Sequence, residues 1–172
     1  MLRLMFLRHA KSDWPDDIDD HERPLAERGR QASPLMARYM AKEGLLPDLV
    51  LVSTARRTME TWELVRPAFG YEIGWREEPR IYEAPARVIV DIVRSTSPAF
   101  KTLLVIGHNP GLHDAALKIT GTGTESDLDR LGQKYPTAGL VVIDFKIRSW
   151  SELSEQSGQL ERFVTPKTIN AS

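Results

Sequence analysis

Short apolar runs that end in polar residues recur along the chain and predict buried strands. The clearest runs cover residues 2–7, 49–52, 102–106 and 139–145. Each has strand length and is bounded by polar, Gly or Pro residues, which is typical of strands in a covered sheet. Weaker patterns predict a strand plus a turn within residues 71–81. They also predict a short edge strand at 162–164, after a turn region at 150–160.

Apolar residues at helical spacing predict helices between these strands. The pattern after the first strand runs to about Lys42, and Gly44 is its stop signal. Pro34 lies inside this pattern and has no N–H to donate. The helix therefore either begins near Ser33, with Pro34 in its first turn, or is kinked.

Further helices are predicted after the other strands. One begins at about Ala55 and ends at Pro67, and another opens at about Pro85. A third follows Asn109, which we expect to cap it, with Pro110 in the first position. Because strands and helices alternate, the sequence predicts an α/β protein, a three-layer α/β/α sandwich around a mostly parallel sheet.

Composition narrows the class of protein. The 172 residues fit a single domain spanning residues 1–172, and 41% hydrophobic with 27% charged residues is typical of globular proteins. A net charge of -1 gives no general basic field for nucleic acid. The absence of cysteine excludes disulfides, thiolate metal sites and cysteine-nucleophile phosphatases. No apolar stretch approaches the ~18 residues that span a membrane, so we expect a cytoplasmic protein.

Three of the predicted strands end in residues that suit an anionic ligand. Arg8 and His9 follow the first strand, Arg56 and Arg57 lie shortly after the second, and His108 follows the strand at 102–106. Ligands of open α/β sheets lie beyond the carboxyl ends of the strands. Gathered cations repel one another unless an anion lies among them, and arginine binds phosphate through two parallel hydrogen bonds. The alternative is that Arg8 and His9 only open a solvated loop.

Taken in order, these motifs resemble the histidine phosphatase (phosphoglycerate mutase-like) superfamily, and in particular its SixA-type phosphohistidine phosphatase branch. The resemblance covers nearly the whole chain. The matching segments are Leu7-Arg8-His9-Ala10-Lys11-Ser12, Arg23-Pro24-Leu25 with Gly29, Ser53 through Arg57-Thr58, Tyr82-Glu83-Ala84, Gly107-His108-Asn109-Pro110, Tyr135-Pro136-Thr137 and Phe163-Val164-Thr165-Pro166-Lys167.

The resemblance implies a phosphoglycerate mutase-like fold and a role for each matching residue. His9 would be the nucleophile that is transiently phosphorylated, with the proton of its ring held on the other nitrogen by a backbone carbonyl. Arg8, Arg57 and His108 would hold the phosphoryl oxygens. Further substrate contacts would come from the residues Arg23, Ser12 and Asn109. Arg56 does not match the motif and is expected to be a solvated neighbour.

Two of these roles stay open at this point. Glu83 stands where many family members carry a proton-donating carboxylate. It is either that acid, a substrate-positioning group, or a cap for the helix near Pro85. Arg23 is either a phosphate contact or a surface salt-bridge partner of the nearby aspartates at 16–20.

The resulting hypothesis is a metal-independent phosphatase that needs no cofactor and acts through a phosphohistidine on His9. Phosphohistidine on a protein is the favoured substrate, because the short stretches between motifs leave little room for a cap domain. The partner would be a phosphorylated protein, with neither nucleic acid nor membrane involved. The alternatives are a small-molecule phosphomonoesterase or mutase of the same superfamily and, from a different class, a non-catalytic phosphate-binding module.

Overall fold

The structure, a computed structural model, describes residues 1–170, in which strands and helices alternate. The strands are β1 (Leu2–Arg8), β2 (Leu49–Val52), β3 (Gly74–Glu77), β4 (Thr102–Gly107), β5 (Thr120–Thr122), β6 (Leu140–Phe145) and β7 (Gly158–Val164). The α-helices are α1 (Glu27–Lys42), α2 (Arg56–Val65), α3 (Ala86–Arg94), α4 (Gly111–Ile119), α5 (Glu125–Gln133) and α6 (Pro166–Asn170). Short 3-10 turns include Asp20–Glu22, Pro79–Ile81 and Trp150–Glu152.

Within these residues the strands form one seven-stranded sheet in the order β3-β2-β4-β1-β6-β7-β5. Strand β6 runs antiparallel to both of its neighbours, β1 and β7, and the other neighbouring pairs are parallel. The predicted α/β class with a mostly parallel sheet is therefore confirmed. Strand β1 lies in the middle of the sheet, with β4 on one side and β6 on the other.

Alternating side chains of β1 build a core on each face of the sheet. Leu2, Leu4 and Phe6 pack into one cluster with α3 and α4, whereas Met5 and Leu7 pack into the other with α1 and α2. Successive residues of a strand point to opposite faces, so an uninterrupted apolar run requires helices on both sides. Each buried leucine contributes about 1.5–3 kcal/mol relative to an exposed one.

Helix α1 begins at Glu27, earlier than the predicted start near Ser33. Pro34 is accommodated inside the helix, and the Ser33 hydroxyl donates to the Gly29 carbonyl at 2.8 Å. The first turn is stabilised by Arg30, which pairs with Glu27 at 2.6 Å. These local contacts and the packing of the buried face outweigh the one backbone hydrogen bond that proline removes.

The C-terminal strand also differs from the prediction of a short edge strand at 162–164. It is longer, beginning at Gly158, and it lies inside the sheet between β6 and β5. Gly158 makes this possible, because a Cβ atom there would lie 2.4 Å from the Ile143 side chain. A glycine within a strand often marks such a close approach, but the approaching neighbour is not visible in the sequence.

In the described part of the chain, none of the helices has the length and apolar character needed to cross a membrane.

Replacing Gly29 by alanine should destabilise the fold by about 1–3 kcal/mol, because the added methyl overlaps backbone and not a movable side chain. A Cβ at position 29 would lie 2.1 Å from the carbonyl oxygen of Lys11. Urea unfolding of Gly29→Ala measures the change. The control is Gly132→Ala in α5, where a Cβ meets nothing within 4 Å. That variant should gain about 0.5–1 kcal/mol from its higher helix propensity. Equal stability of the two variants would contradict the close approach at Gly29.

Candidate active site

The carboxyl ends of β1, β4 and β2 lie side by side, as the sequence predicts. Arg8 is paired with Gly107 in the parallel register of β1 and β4. The N–H of His9 donates to the Gly107 carbonyl at 3.0 Å, and the N–H of Ser53 donates to the Ile106 carbonyl at 3.1 Å. The residues that follow the three strands therefore share one site at this edge of the sheet.

His9 lies on the floor of this site with one ring nitrogen free. Its side chain is buried, with 6% of the residue exposed. Nδ1 is 2.7 Å from the carbonyl oxygen of Ala10. A carbonyl only accepts, so Nδ1 carries the proton and Nε2 keeps its lone pair. This is the tautomer in which Nε2 can act as a nucleophile.

His108 faces His9 across the site. The two ring centroids are 5.3 Å apart, and the rings of Tyr82 and His108 pack edge-to-face with centroids 5.6 Å apart. His108 Nε2 hydrogen-bonds with the Ser53 hydroxyl at 2.7 Å. The hydroxyl thereby orients the ring, because it lies at the fixed end of β2.

Arg8 and Asn109 are held by the same carbonyl group. Arg8 Nη1 donates to the Tyr135 carbonyl at 3.1 Å, and Asn109 Nδ2 donates to it at 2.8 Å. Asn109 does not cap α4 as predicted, since Pro110 precedes that helix and no side chain caps it. The Asn109 amide instead donates to the carbonyl of Tyr135, a residue distant in sequence.

Arg57 is held by Asp20, a residue of the Asp-rich loop. Arg57 donates to the backbone carbonyl of Asp20 at 2.8 Å and to its Oδ2 at 3.1 Å. The Tyr82 hydroxyl also donates to Oδ2, at 2.5 Å. The hydrogen bond from Tyr82 and the ion pairs with Arg23 and Arg57 hold the pKa of Asp20 well below its usual range. Asp20 is thus an ionised carboxylate that lies beside the cations of the site, with 46% of its side chain exposed.

Arg23 connects Asp20 to the loop that follows His9. Its guanidinium donates to Asp20 Oδ1 at 2.9 Å and to the Ser12 hydroxyl at 2.5 Å. The same group stacks on the Trp14 ring, 3.2 Å from the ring centroid. Arg23 therefore makes the predicted salt bridge, but as a buried residue that links two walls of the site.

The two adjacent arginines at the start of α2 differ sharply in their surroundings. Arg57 is buried, whereas Arg56 is exposed and pairs with Glu60 at 3.2 Å, as expected for a solvated neighbour.

Glu83 is exposed and follows Tyr82 with a φ of 56°. It does not cap α3, so that alternative for Glu83 is excluded. Its carboxylate has no hydrogen-bond partner among residues 1–170.

Buried polar atoms without a partner are concentrated in this site. Six buried side-chain nitrogen or oxygen atoms lack a hydrogen bond in the described residues. Four of them belong to the site, namely Arg8 Nε, Arg57 Nε, His108 Nδ1 and Asn109 Oδ1. Arg8 Nε and Arg57 Nε are donors, and unmet buried donors cost free energy, which a bound anion would recover. Over residues 1–170, no group of three or more His, Cys, Asp or Glu side chains is arranged to hold a metal ion.

Burial keeps both imidazoles neutral. Burial lowers the pKa of His9 to about 3, and the charges of nearby Arg8 and Arg57 act in the same direction. Burial also lowers the pKa of His108 to about 3, with a further contribution from Arg57. A dianion among these residues would act in the opposite direction and favour protonation of His108. The site therefore combines two neutral imidazoles with cations suited to phosphate.

Several residues of this site were not identified by sequence reasoning alone. Asp20 belongs to an acidic run that reads as solvated, and Tyr82 and Tyr135 enter only as parts of the family motifs. His21 is half-buried; it hydrogen-bonds with Thr54 at 2.9 Å and packs edge-on against Tyr82. Ser53 was also given no role of its own, although its position directly after a strand was a signal that could have identified it.

Comparison with known proteins identifies the family. The model of the histidine phosphatase superfamily (branch 1) matches residues 4–87. An uncharacterised protein of Mycobacterium leprae is 33% identical over 166 residues, which cover 94% of this chain and all of that protein. The chain belongs to the histidine phosphatase superfamily.

Solved structures relate the fold to the SixA-type branch. A crystal structure of a protein from Agrobacterium tumefaciens, assigned as the phosphohistidine phosphatase SixA, is 27% identical with a TM-score of 0.81. That match covers 96% of this chain and 98% of the other. The protein histidine phosphatase SixA complexed with tungstate has the same fold, with a TM-score of 0.76 at 17% identity, over 98% and 99% of the two chains.

The depressed pKa values predict an acid-dependent loss of stability. As the pH falls below the ordinary histidine pKa of ~6.5, His9 and His108 bind protons in the unfolded chain but stay unprotonated in the folded protein. Stability contributed by these two groups is therefore present above that pH and declines towards the folded pKa of about 3. In His108→Gln, the free energy of unfolding from urea titrations should fall less steeply over this range than in the unchanged protein.

NMR titration of the ring signals provides the direct control. The resonances assigned to His9 and His108 should remain those of neutral imidazole from about pH 8 to about pH 5. A midpoint of ~6.5 for either ring would contradict the burial effect.

Proposed function

We propose that this chain is a phosphatase that removes phosphate from phosphohistidine on a protein, through a phosphoryl intermediate on His9. The observation that carries the proposal is the ring of His9. Its Nδ1 proton is committed to a backbone carbonyl, and its free Nε2 faces buried cations with unmet hydrogen-bond donors. A pocket built only to bind phosphate has no need of a neutral imidazole with a free lone pair.

In the first step, Nε2 of His9 attacks the phosphorus of the substrate. A new N–P bond forms as the bond between phosphorus and the leaving group breaks, and the electron pair of the broken bond stays with the leaving group. The transition state spreads negative charge over the phosphoryl oxygens, which Arg8 and Arg57 are suited to hold. The Nδ1 proton of His9 stays on the ring, stabilised by the Ala10 carbonyl.

In the second step, water attacks the phosphorus of phosphorylated His9. The N–P bond breaks, Nε2 recovers its lone pair, and inorganic phosphate leaves carrying the oxygen of the water. His108 lies opposite His9, so its ring can hydrogen-bond to the phosphoryl group once the dianion favours its protonation. No net proton is left on either histidine at the end of the cycle.

Asp20 has a different role in this scheme. Its ionised carboxylate pairs with Arg57 and Arg23 before substrate arrives, which stabilises buried cations that would otherwise repel one another. Because its pKa is lowered, it does not donate a proton at neutral pH. Asp20 is proposed to position the arginines.

The choice of substrate rests on the leaving group. An imidazole that is protonated on its other nitrogen leaves as a neutral molecule, whereas an alkoxide must be protonated as it leaves. Glu83, the family's usual position for the acid, is exposed and is not anchored by a hydrogen bond in the described residues. Phosphohistidine is therefore the substrate whose leaving group depends least on proton donation from Glu83. The assignment of the similar Agrobacterium tumefaciens protein as a phosphohistidine phosphatase supports the same choice.

The protein should hydrolyse a phosphohistidine-bearing protein in preference to p-nitrophenyl phosphate or sugar phosphates, with EDTA present. The same assay on His9→Ala should lose at least roughly a thousandfold in turnover, because the nucleophile is gone. Circular dichroism of the variant checks that the fold is retained. Near-normal turnover by His9→Ala would contradict the covalent mechanism. Preference for a small phosphomonoester would instead support a phosphomonoesterase or mutase.

Glu83→Gln should separate the two substrate classes. If Glu83 donates a proton to an oxygen leaving group, hydrolysis of p-nitrophenyl and alkyl phosphates should fall, by up to about a hundredfold for the alkyl ester. Phosphohistidine hydrolysis should change little. Glu77→Gln, at an exposed glutamate of β3, is the matched control. An equal loss on both substrate classes would mean that Glu83 positions substrate and is not the acid.

A further inference from the structure

A basic groove lies next to the candidate active site. It has a volume of about 510 Å³ and is bounded by α1, α5, α6 and the end of β7. The charged side chains that line it, within the described residues, are all basic: Lys11, Arg28, Arg130, Lys134 and Lys167. In a chain with a net charge of -1, this is a local concentration of positive charge.

Most of these charges are not neutralised by the protein itself. Arg130 pairs with Asp127 at 3.0 Å. The other four are exposed and form no ion pair with residues 1–170. Like charges held together repel, so the groove favours a ligand that brings several negative charges.

The groove and the catalytic histidine lie at the same edge of the sheet. In the strand register, Leu7 of β1 is opposite Leu140 of β6, which is opposite Val164 of β7. Since β6 is antiparallel to both, β1 and β7 point the same way and end at the same edge. Two strand spacings separate them, which is roughly 10 Å.

One segment forms a wall of both the site and the groove. The carbonyl of Tyr135 holds Arg8, and the N–H of Ala138 donates to the carbonyls of Arg8 and His9 at 3.1 and 3.0 Å. Between them, Pro136 and Thr137 line the groove. An occupant of the groove therefore lies against the segment that fixes the catalytic residues.

We propose that this groove binds an acidic segment of the phosphorylated protein whose phosphate is removed at His9. The inference rests on the proposed function and extends it to how the partner is recognised. An extended chain advances about 3.3 Å per residue, so about three residues span the distance from the site to the groove. Leu35, which is half-buried, adds apolar contact surface to the lining of the groove.

The test compares two triple charge reversals. The groove variant is Arg28→Glu, Lys134→Glu and Lys167→Glu. The control variant is Arg38→Glu, Arg87→Glu and Lys146→Glu, which makes the same change of net charge at exposed positions outside the groove lining. Binding of a fluorescein-labelled hexaglutamate peptide is measured by anisotropy. Turnover is measured on a phosphohistidine-bearing protein with an acidic surface and on p-nitrophenyl phosphate.

The groove variant should bind the peptide at least roughly tenfold more weakly than the unchanged protein, whereas the control variant should bind it with a much smaller loss. For the phosphoprotein, KM should rise in the groove variant with kcat nearly unchanged. Turnover of p-nitrophenyl phosphate should stay similar in both variants, since no catalytic group is altered.

Equal weakening in the two variants would overturn the proposal, because the effect would then be one of net charge. Binding of inorganic tripolyphosphate without binding of the peptide would also overturn it, in favour of a small-polyanion site. If the protein hydrolyses no phosphohistidine but still binds the peptide through the groove, the groove stands and the proposed function fails. If hydrolysis occurs without any peptide binding, the function stands and the groove proposal fails.

Discussion

The parallel pairing of β1 with β4 brings the two histidines together, and the site depends on it. The N–H of His9 is hydrogen-bonded to the carbonyl of Gly107, so His9 and His108 leave the sheet at the same level. Their rings then face each other at 5.3 Å. Apolar side chains on both faces of β1 hold this pairing rigidly, and a slip of one residue would turn each strand's side chains to the wrong face.

The arginines gathered at one edge of the sheet repel one another, and other residues of the site reduce this repulsion. Both histidines stay neutral because they are buried beside the guanidinium groups. The carboxylate of Asp20 balances Arg57 and Arg23. Donors such as Arg8 Nε have no hydrogen-bond partner among the described residues, which suits them to bind an anion. The same arrangement supports the proposed binding of a phosphoryl group and leaves Nε2 of His9 with a free lone pair.

Much of the fold could be predicted from the chain because hydrophobic periodicity is a local property. The four clearest apolar runs became β1, β2, β4 and β6, and the alternation of strands with helices indicated the α/β class. His9 and His108 could be singled out because each follows a strand, where parallel sheets bind ligands. The distinction between Arg57 and Arg56 also came from the motif, and their burial agrees with it.

The sequence by itself determined which segments are buried and which strand ends carry chemistry, since both are encoded by neighbouring residues. Only the tertiary structure decided what those residues touch. Asp20 pairs with Arg57, and Asn109 donates to the Tyr135 carbonyl and does not cap α4. Strand β7 lies between β6 and β5 and is not an edge strand. The basic groove likewise joins residues of α1, α5 and α6. These contacts link residues far apart in the chain, and their free energy depends on packing that no local pattern records.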